Sequence, residues 1–324
     1  MRTLFDPFML AMFAAIGLSS AWPASGDSLQ RLQGLSSLAV GLLFFLHGAA
    51  IAPRDLMNGV RQWRLHALIF ALTFAVFPLL VLPFSLAPPA WMPDGLATGF
   101  VYLGVLPSAV SSSIAFTAMA RGNVPGAICS AAASNVFGLL LTPILLGLLT
   151  KVSGGGALDP AQALKDVCLG LLLPFAAGQA LRPALGGWLD RNSRWLGRYD
   201  QSVIVLVIFV AFSQSAGIWA DAPWPILLVA LALCVLLLAA IFVLAMVAAR
   251  AARLSREDEI AAVFCGSKKS LASGLPLAQI LFAGSAGFGL IVLPIILYNQ
   301  VQIVFGAVMA KRYAARPATP ALGV

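Results

Sequence analysis

Ten stretches of apolar residues, each long enough to cross a bilayer as a helix, fall near 4–22, 35–52, 65–86, 96–119, 124–149, 163–182, 201–219, 224–249, 259–283 and 288–310. A hydrocarbon core is about 30 Å thick and a helix rises about 1.5 Å per residue, so about 20 apolar residues make one crossing. Inside lipid every backbone polar group must find its partner within the protein, which leaves helices and closed barrels. Stretches this long, without polar alternation, are helical. The expected fold class is therefore an all-α polytopic membrane protein with ten transmembrane helices. A chain that is 60% hydrophobic and only 10% charged fits no soluble class. The first stretch reads as a retained span rather than a cleaved leader, because Arg2 is followed by Asp6 instead of further basic residues.

The net charge of +8 is distributed unevenly. The N-terminus, the C-terminus and the loops after even-numbered spans hold Arg2, Arg54, Arg61, Arg64, Arg121, Arg182, Arg191, Arg194, Arg198, Arg250, Arg253, Arg256, Lys311, Arg312 and Arg316. The other side holds Arg31, Lys151 and Lys165. Basic loops stay in the cytoplasm, so both termini are expected there, in a bacterial-type inner membrane. Topology alone explains the basic excess, and no nucleic-acid partner is implied. Arg191, Arg194 and Arg198 are candidates for contact with anionic lipid.

Ten spans divide into five and five, and an odd half enters the membrane from the opposite side the second time. That is an inverted repeat, with 1–155 and 156–324 as its two halves and the glycine-rich segment from Lys151 to Pro160 as a flexible linker. Spans four and nine hold equivalent places, and both carry helix-breaking residues. Span four has Pro107 followed by Ser108, Ser111, Ser112, Ser113 and Thr117; span nine has Gly266, Ser267, Lys268, Lys269, Ser270, Ser273, Gly274 and Pro276. Interrupted helices at matching positions mark a transporter's binding site.

Lys268 lies roughly 13 Å beyond Glu259, near the midplane, where a lysine costs at least about 2.5 kcal/mol. All twelve acidic residues fall in loops or at span ends, so neutral oxygens, helix dipoles or a bound anion must serve as partners. The serines of span four either line a ligand path or return their hydroxyls to the preceding turn. Ser134 and Asn135 on span five are interhelical hydrogen-bond candidates. His47, at the end of span two, is a candidate pH sensor or a packed histidine. Gln179, Gln214, Asn299, Gln300 and Gln302 either line a path or tie helices together. Cys129, Cys168, Cys234 and Cys265 sit in apolar runs without metal spacing. Cys265 has no oriented base beside it, so no enzyme is expected.

LPSAVSSSIAFTAMARGN, followed by a span ending LLLTPILL, resembles the fourth and fifth helices of the bile acid:sodium symporter family. FCGSKKSLASGLPLAQILF, followed by LPIILYNQVQIVFG, is similar to the subgroup typified by sodium/bile acid cotransporter seven, and FFLHGAAIAPRDL extends the match across nearly the whole chain. The resemblance implies that broken helices four and nine cross at the substrate site. It also implies a core domain of helices 3–5 and 8–10 and a panel domain of helices 1–2 and 6–7. Sodium-coupled members carry E-x-G-x-Q-N in helix nine. Aligned on this chain, Cys265 takes the glutamate position, Ser267 the glycine, Lys269 the glutamine and Ser270 the asparagine. The helix-four Ser-Asn pair falls on Ser112 and Ser113, or one residue later, and helix-five hydroxyl positions fall on Ala127 and Ala131. No cofactor is expected. Sodium is a candidate ligand whose site reads as dismantled, with a lysine ammonium in the place of the ion.

The function these readings support is secondary active transport of a small or amphipathic organic anion, attracted by Lys268 or Lys269 and by half-helix N-termini, by a monomer or homodimer in the lipid bilayer. The site candidates are Ser108, Ser111, Ser112, Ser113, Ser134, Asn135, Cys265, Ser267, Lys268, Lys269 and Ser270. The alternative is a membrane regulator of ion handling, of calcium for example, that carries no solute.

Overall fold

The computed structural model describes residues 7–50, 62–86, 92–152, 160–216, 224–282, 285 and 287–315. The linker glycines Gly154, Gly155 and Gly156, and the boundary between the expected halves, lie outside the described residues. No strand occurs among the described residues. The helices in chain order are α1 (Pro7–Ala21), α2 (Gly26–Ala50), α3 (Trp63–Leu86), α4 (Asp94–Val105), α5 (Val110–Met119), α6 (Val124–Val152) and α7 (160–191). They continue as α8 (Ser193–Gln214), α9 (Trp224–Ala251), α10 (Arg256–Gly266), α11 (Leu271–Leu281) and α12 (Phe288–Ala314).

Seven of these helices are long and apolar enough to cross a membrane, and α4 with α5, meeting at a bend of 58°, makes an eighth candidate crossing. The chain is an all-helical integral membrane protein. On this criterion α1 is short at 15 residues. The α10–α11 pair is absent from it too, since α10 opens on the charged Arg256, Glu257, Asp258 and Glu259. Those charges do local work. Ser255 caps α10 by accepting from the Asp258 N–H at 3.1 Å, and the carboxylates sit at the positive end of the helix.

Two breaks shape the interior. Pro107 biases the residue before it towards extended backbone. Leu106 duly takes ψ 153° and ends α4, while Ala109, also extended, begins α5. In the second break Ser267 ends α10 and Ser270 caps α11, accepting from the Ser273 N–H at 3.2 Å. Gly138 of α6 lies so close to Pro107 that a Cβ there would stand 2.7 Å from the proline ring, so α6 can press against the first break.

Two sets of helices pack densely, and they meet where α8 lies on α11 and α12 and where α7 lies on α6. In one, α1 lies on α8, and α2 lies on both α7 and α8. Gly48 of α2 and Gly178 of α7 face the other helix's backbone, the Phe175 and Phe45 carbonyls respectively, with no room for a Cβ on either. In the other group α12 packs on α4 and α9, α10 on α3, α5 and α9, and α5 on α6.

Candidate crossover site

The two breaks cross, and their exposed backbone is the first fact about the site. A helix end leaves its last carbonyls without partners, which in a membrane interior costs several kcal/mol each. Here they are met by side chains from the opposite break or from flanking helices. From α4, the Val105 carbonyl accepts from Thr142 Oγ1 at 2.8 Å, while Gly104 and Leu106 accept from Lys269 Nζ at 2.8 and 2.7 Å. From α10, Phe264 accepts from Ser113 Oγ at 3.0 Å and Cys265 from Ser108 Oγ at 2.6 Å. The Pro107 carbonyl accepts from the Ser270 N–H at 2.9 Å, joining break to break.

Flanking helices complete the set. Asn135 donates to the Ser108 carbonyl at 2.8 Å and accepts from Ser273 Oγ at 2.6 Å, while Ser134 Oγ accepts from the Ser108 N–H at 3.0 Å. Gln302 of α12 brackets Lys269, accepting from its N–H and donating to its carbonyl, each at 3.0 Å. Tyr298 donates to the Ser267 carbonyl at 2.7 Å, and Tyr102 to that of Gly274 at 2.6 Å.

Lys269 is fully buried. Its Nζ donates to a third carbonyl, that of Thr73, at 3.0 Å, and lies 4.2 Å from the centre of the Phe77 ring. Thr73 belongs to a widened turn of α3 over Leu72–Val76, in which the Phe77 N–H reaches back five residues to the Leu72 carbonyl. Such widened turns recur at functional sites. Three acceptors and no donor match the three N–H bonds of an ammonium; a neutral amine has two. Gly104 and Leu106 stand at the negative end of the α4 dipole, so the cage is shaped for a cation.

Lys268 points elsewhere. Its Nζ donates to the Gln302 carbonyl at 3.0 Å and lies 4.2 Å from the centre of the Phe116 ring. Of the three partners open to the lysines on sequence grounds, neutral oxygens meet both and the α4 dipole faces Lys269, joined by aromatic faces. Ser267 returns its hydroxyl to Val263 at 2.6 Å, the ordinary helical use of a serine. Cys265 is buried with its Sγ 3.8 Å from the Ala127 carbonyl, so the glutamate position and one hydroxyl position of the sodium-coupled pattern face each other as a thiol and an alanine.

A cavity of about 490 Å³ lies beside the crossover, between the two packing groups. Ser111, Ser112, Asn135, Ser270 and Ser273 line one wall, and the first turns of α5 and α11 end there. Ala109 precedes α5 and offers no side chain to cap it. Phe8, Phe44 and Phe175 form apolar wall opposite. Neither lysine lines the cavity; both are sealed behind it.

His47 also lines this cavity, with Nε2 3.2 Å from Asp200 Oδ2. The expectation that every carboxylate lies at a span end is corrected here. α8 begins at Ser193, so Asp200 stands about two turns inside a membrane-length helix and on the cavity wall. Among the polar residues left open by the sequence, Asn299 lines the cavity and Gln302 ties the crossover together. Thr73, Tyr102, Thr142 and Tyr298 were not singled out. Each is a single hydroxyl residue in a mostly apolar stretch, a weak signal that gains meaning only from the carbonyl it meets.

The sequence profile of the SBF-like CPA transporter family matches residues 6–315. The putative symporter YfeH of Escherichia coli K12 is 42% identical over 313 residues, covering 96% of this chain and 93% of that protein. An uncharacterized Pseudomonas aeruginosa protein, PA2026, is 46% identical over 319 residues, covering 97% and 95%. Rat sodium/bile acid cotransporter 7 is 26% identical over 309 residues, covering 93% and 90%.

Proposed function

We propose that this chain, which belongs to the SBF-like CPA transporter family, is a secondary active transporter that carries a small or amphipathic organic anion by alternating access. The carrying observation is the cavity on which the N-termini of α5 and α11 converge between polar and phenylalanine-lined walls. Half-helix N-termini favour negative charge, and apolar walls favour a hydrocarbon body. Bile acids, named for the cotransporter 7 relatives, have that form.

In this reading ten crossings form two inverted five-helix repeats, 1–155 and 156–324, with α4–α5 and α10–α11 as the paired broken spans. The α1, α2, α7 and α8 group is the panel, and the remaining helices are the core that carries the crossover. Both termini face the cytoplasm of a bacterial inner membrane. Lys269 holds the place of a bound sodium ion, which makes transport sodium-independent. The cage of three carbonyls around its Nζ supports that assignment. The solute is attracted by the half-helix N-termini rather than by the lysines, which are turned away from the cavity.

The test is uptake of radiolabelled taurocholate and a panel of aliphatic carboxylates and sulfonates into proteoliposomes, with and without an inward sodium gradient. Thiol labelling of Ser112→Cys in the same vesicles is measured alongside. Saturable uptake of at least one anion, undiminished without sodium, with slower labelling when that anion is present, is the expected result. Absence of uptake, with labelling unchanged across the panel, refutes transport and favours the regulator.

A further inference from the structure

We propose that His47 and Asp200 together are the proton site of this transporter, taking up one proton with each anion that enters the cavity. The inference rests on the anion-binding reading above and adds the coupling ion. His47 comes from α2 and Asp200 from α8, and both line the cavity on the side facing the first turns of α5 and α11. Each side chain is about one-quarter exposed, at 27% and 23%, and both line the cavity.

The charge of the pair depends on a single proton. An imidazolium beside a carboxylate is neutral overall; losing the proton leaves net charge −1 on the wall of a cavity that must admit an anion. The carboxylate has no other compensation: Asp200 Oδ1 is buried without a hydrogen-bond partner among the described residues. Binding of the anion therefore favours the protonated pair, and reciprocity requires the protonated pair to favour the anion by the same factor.

No other charged side chain described around the pair takes over this role. On α7, Arg182 donates to the Ala49 and Ala50 carbonyls at the end of α2. On α8, Tyr199 donates to the Ala39 carbonyl, while Arg194 and Arg198 are exposed. From α1, α5, α6, α11 and α12, the cavity receives only neutral side chains among the described residues. The proton moves from water to an imidazole nitrogen of His47 when the cavity faces one side and returns to water on the other, with no bond to the cargo. The chemistry is proton–anion symport.

The experiment is isothermal titration of the full-length protein in lipid nanodiscs with taurocholate, whose sulfonate stays ionised throughout. It is run from pH 5.5 to 8.5 in buffers of differing ionisation enthalpy, so that proton uptake is read directly. Wild type is expected to bind about tenfold more weakly at the high end and, by the same linkage, to take up at most about half a proton per anion between the two limits. His47→Gln should bind at one affinity across the range with no proton uptake. Asp200→Asn should bind at pH 8.5 about as well as wild type at pH 5.5, since both pairs are then neutral. Binding that is flat with pH in wild type, with no proton taken up, overturns the proton site and leaves the anion cavity standing. Failure of taurocholate to bind at any pH overturns both.

Discussion

Replacing Lys269 by glutamine separates a structural lysine from one that stands in for an ion. In the wild type Nζ satisfies the carbonyls of Thr73, Gly104 and Leu106 at 3.0, 2.8 and 2.7 Å. A glutamine amide has two N–H bonds, so at least one carbonyl loses its partner, at a cost of about 1–3 kcal/mol. The end of α4 also loses the positive charge facing its dipole. A cation arriving from solution restores that charge and meets the freed oxygens. At a concentration one hundred times its Kd it stabilises the folded state by about 2.7 kcal/mol. For a chain of this size each kcal/mol moves Tm by about 2 °C, so the recovery is about 5 °C.

The assay is thermal unfolding of purified protein in sodium chloride against potassium chloride at equal ionic strength. Wild type is expected to unfold at the same temperature in both. Lys269→Gln should unfold lower than wild type in potassium and regain about 5 °C in sodium. Lys269→Arg, which keeps a cation, should show no difference between the salts. A sodium-specific rise in wild type, or none in Lys269→Gln, refutes the substitution of lysine for ion.

Two further perturbations probe the crossover and the far end of the cavity wall. Asn135→Leu orphans the Ser108 carbonyl and leaves the Ser273 hydroxyl only Ser270 Oγ as partner, and should lower stability by about 1–3 kcal/mol in the same thermal assay; a loss below about 0.5 kcal/mol shows that Asn135 does not hold the breaks. Ser215, at the end of α8, accepts from the Gly289 N–H of α12 at 2.8 Å, a latch between the two helices, so Ser215→Ala should weaken that closed end by about 1 kcal/mol. Maleimide labelling of Gln279→Cys, buried on α11, should then rise about fivefold, and unchanged labelling rules out the latch.

Seven spans and both breaks were legible because they rest on local chemistry. Apolar length fixes a crossing, Pro107 ends a helix whatever surrounds it, and a Gly/Ser cluster around two lysines cannot remain an ordinary lipid-facing helix. Where those lysines point was not legible. Lys268 and Lys269 are neighbours on a turn, so their side chains diverge, and only the packed neighbours decide that one reaches α12 while the other reaches α3 and α4. The lysines announced the site and then proved not to face its cavity. Asp200 was missed for a simpler reason: the apolar run begins after it, but α8 begins seven residues before it, because Leu196 and Tyr199 pack on neighbours despite Arg194 and Arg198 close by. The widened turn in α3 has no signature in Leu72–Val76 at all.

A cation covalently held by the chain has a consequence for energetics. A sodium ion that binds on one side of a membrane and leaves on the other converts its gradient into cargo movement; an ammonium on Lys269 cannot leave. Buried completely, hydrogen-bonded three times and set against Phe77, it holds the crossover together in the way an ion would, without carrying any of the driving force. Coupling must then come from a charge that exchanges with water as the cavity changes sides. Among the described residues the titratable side chains lining that cavity are His47 and Asp200, and both sit on helices of the other packing group. On the proposed reading, structural and driving cations, one species in a sodium symporter, are divided between two groups: an ammonium at the crossover and an exchangeable proton at the His47–Asp200 pair.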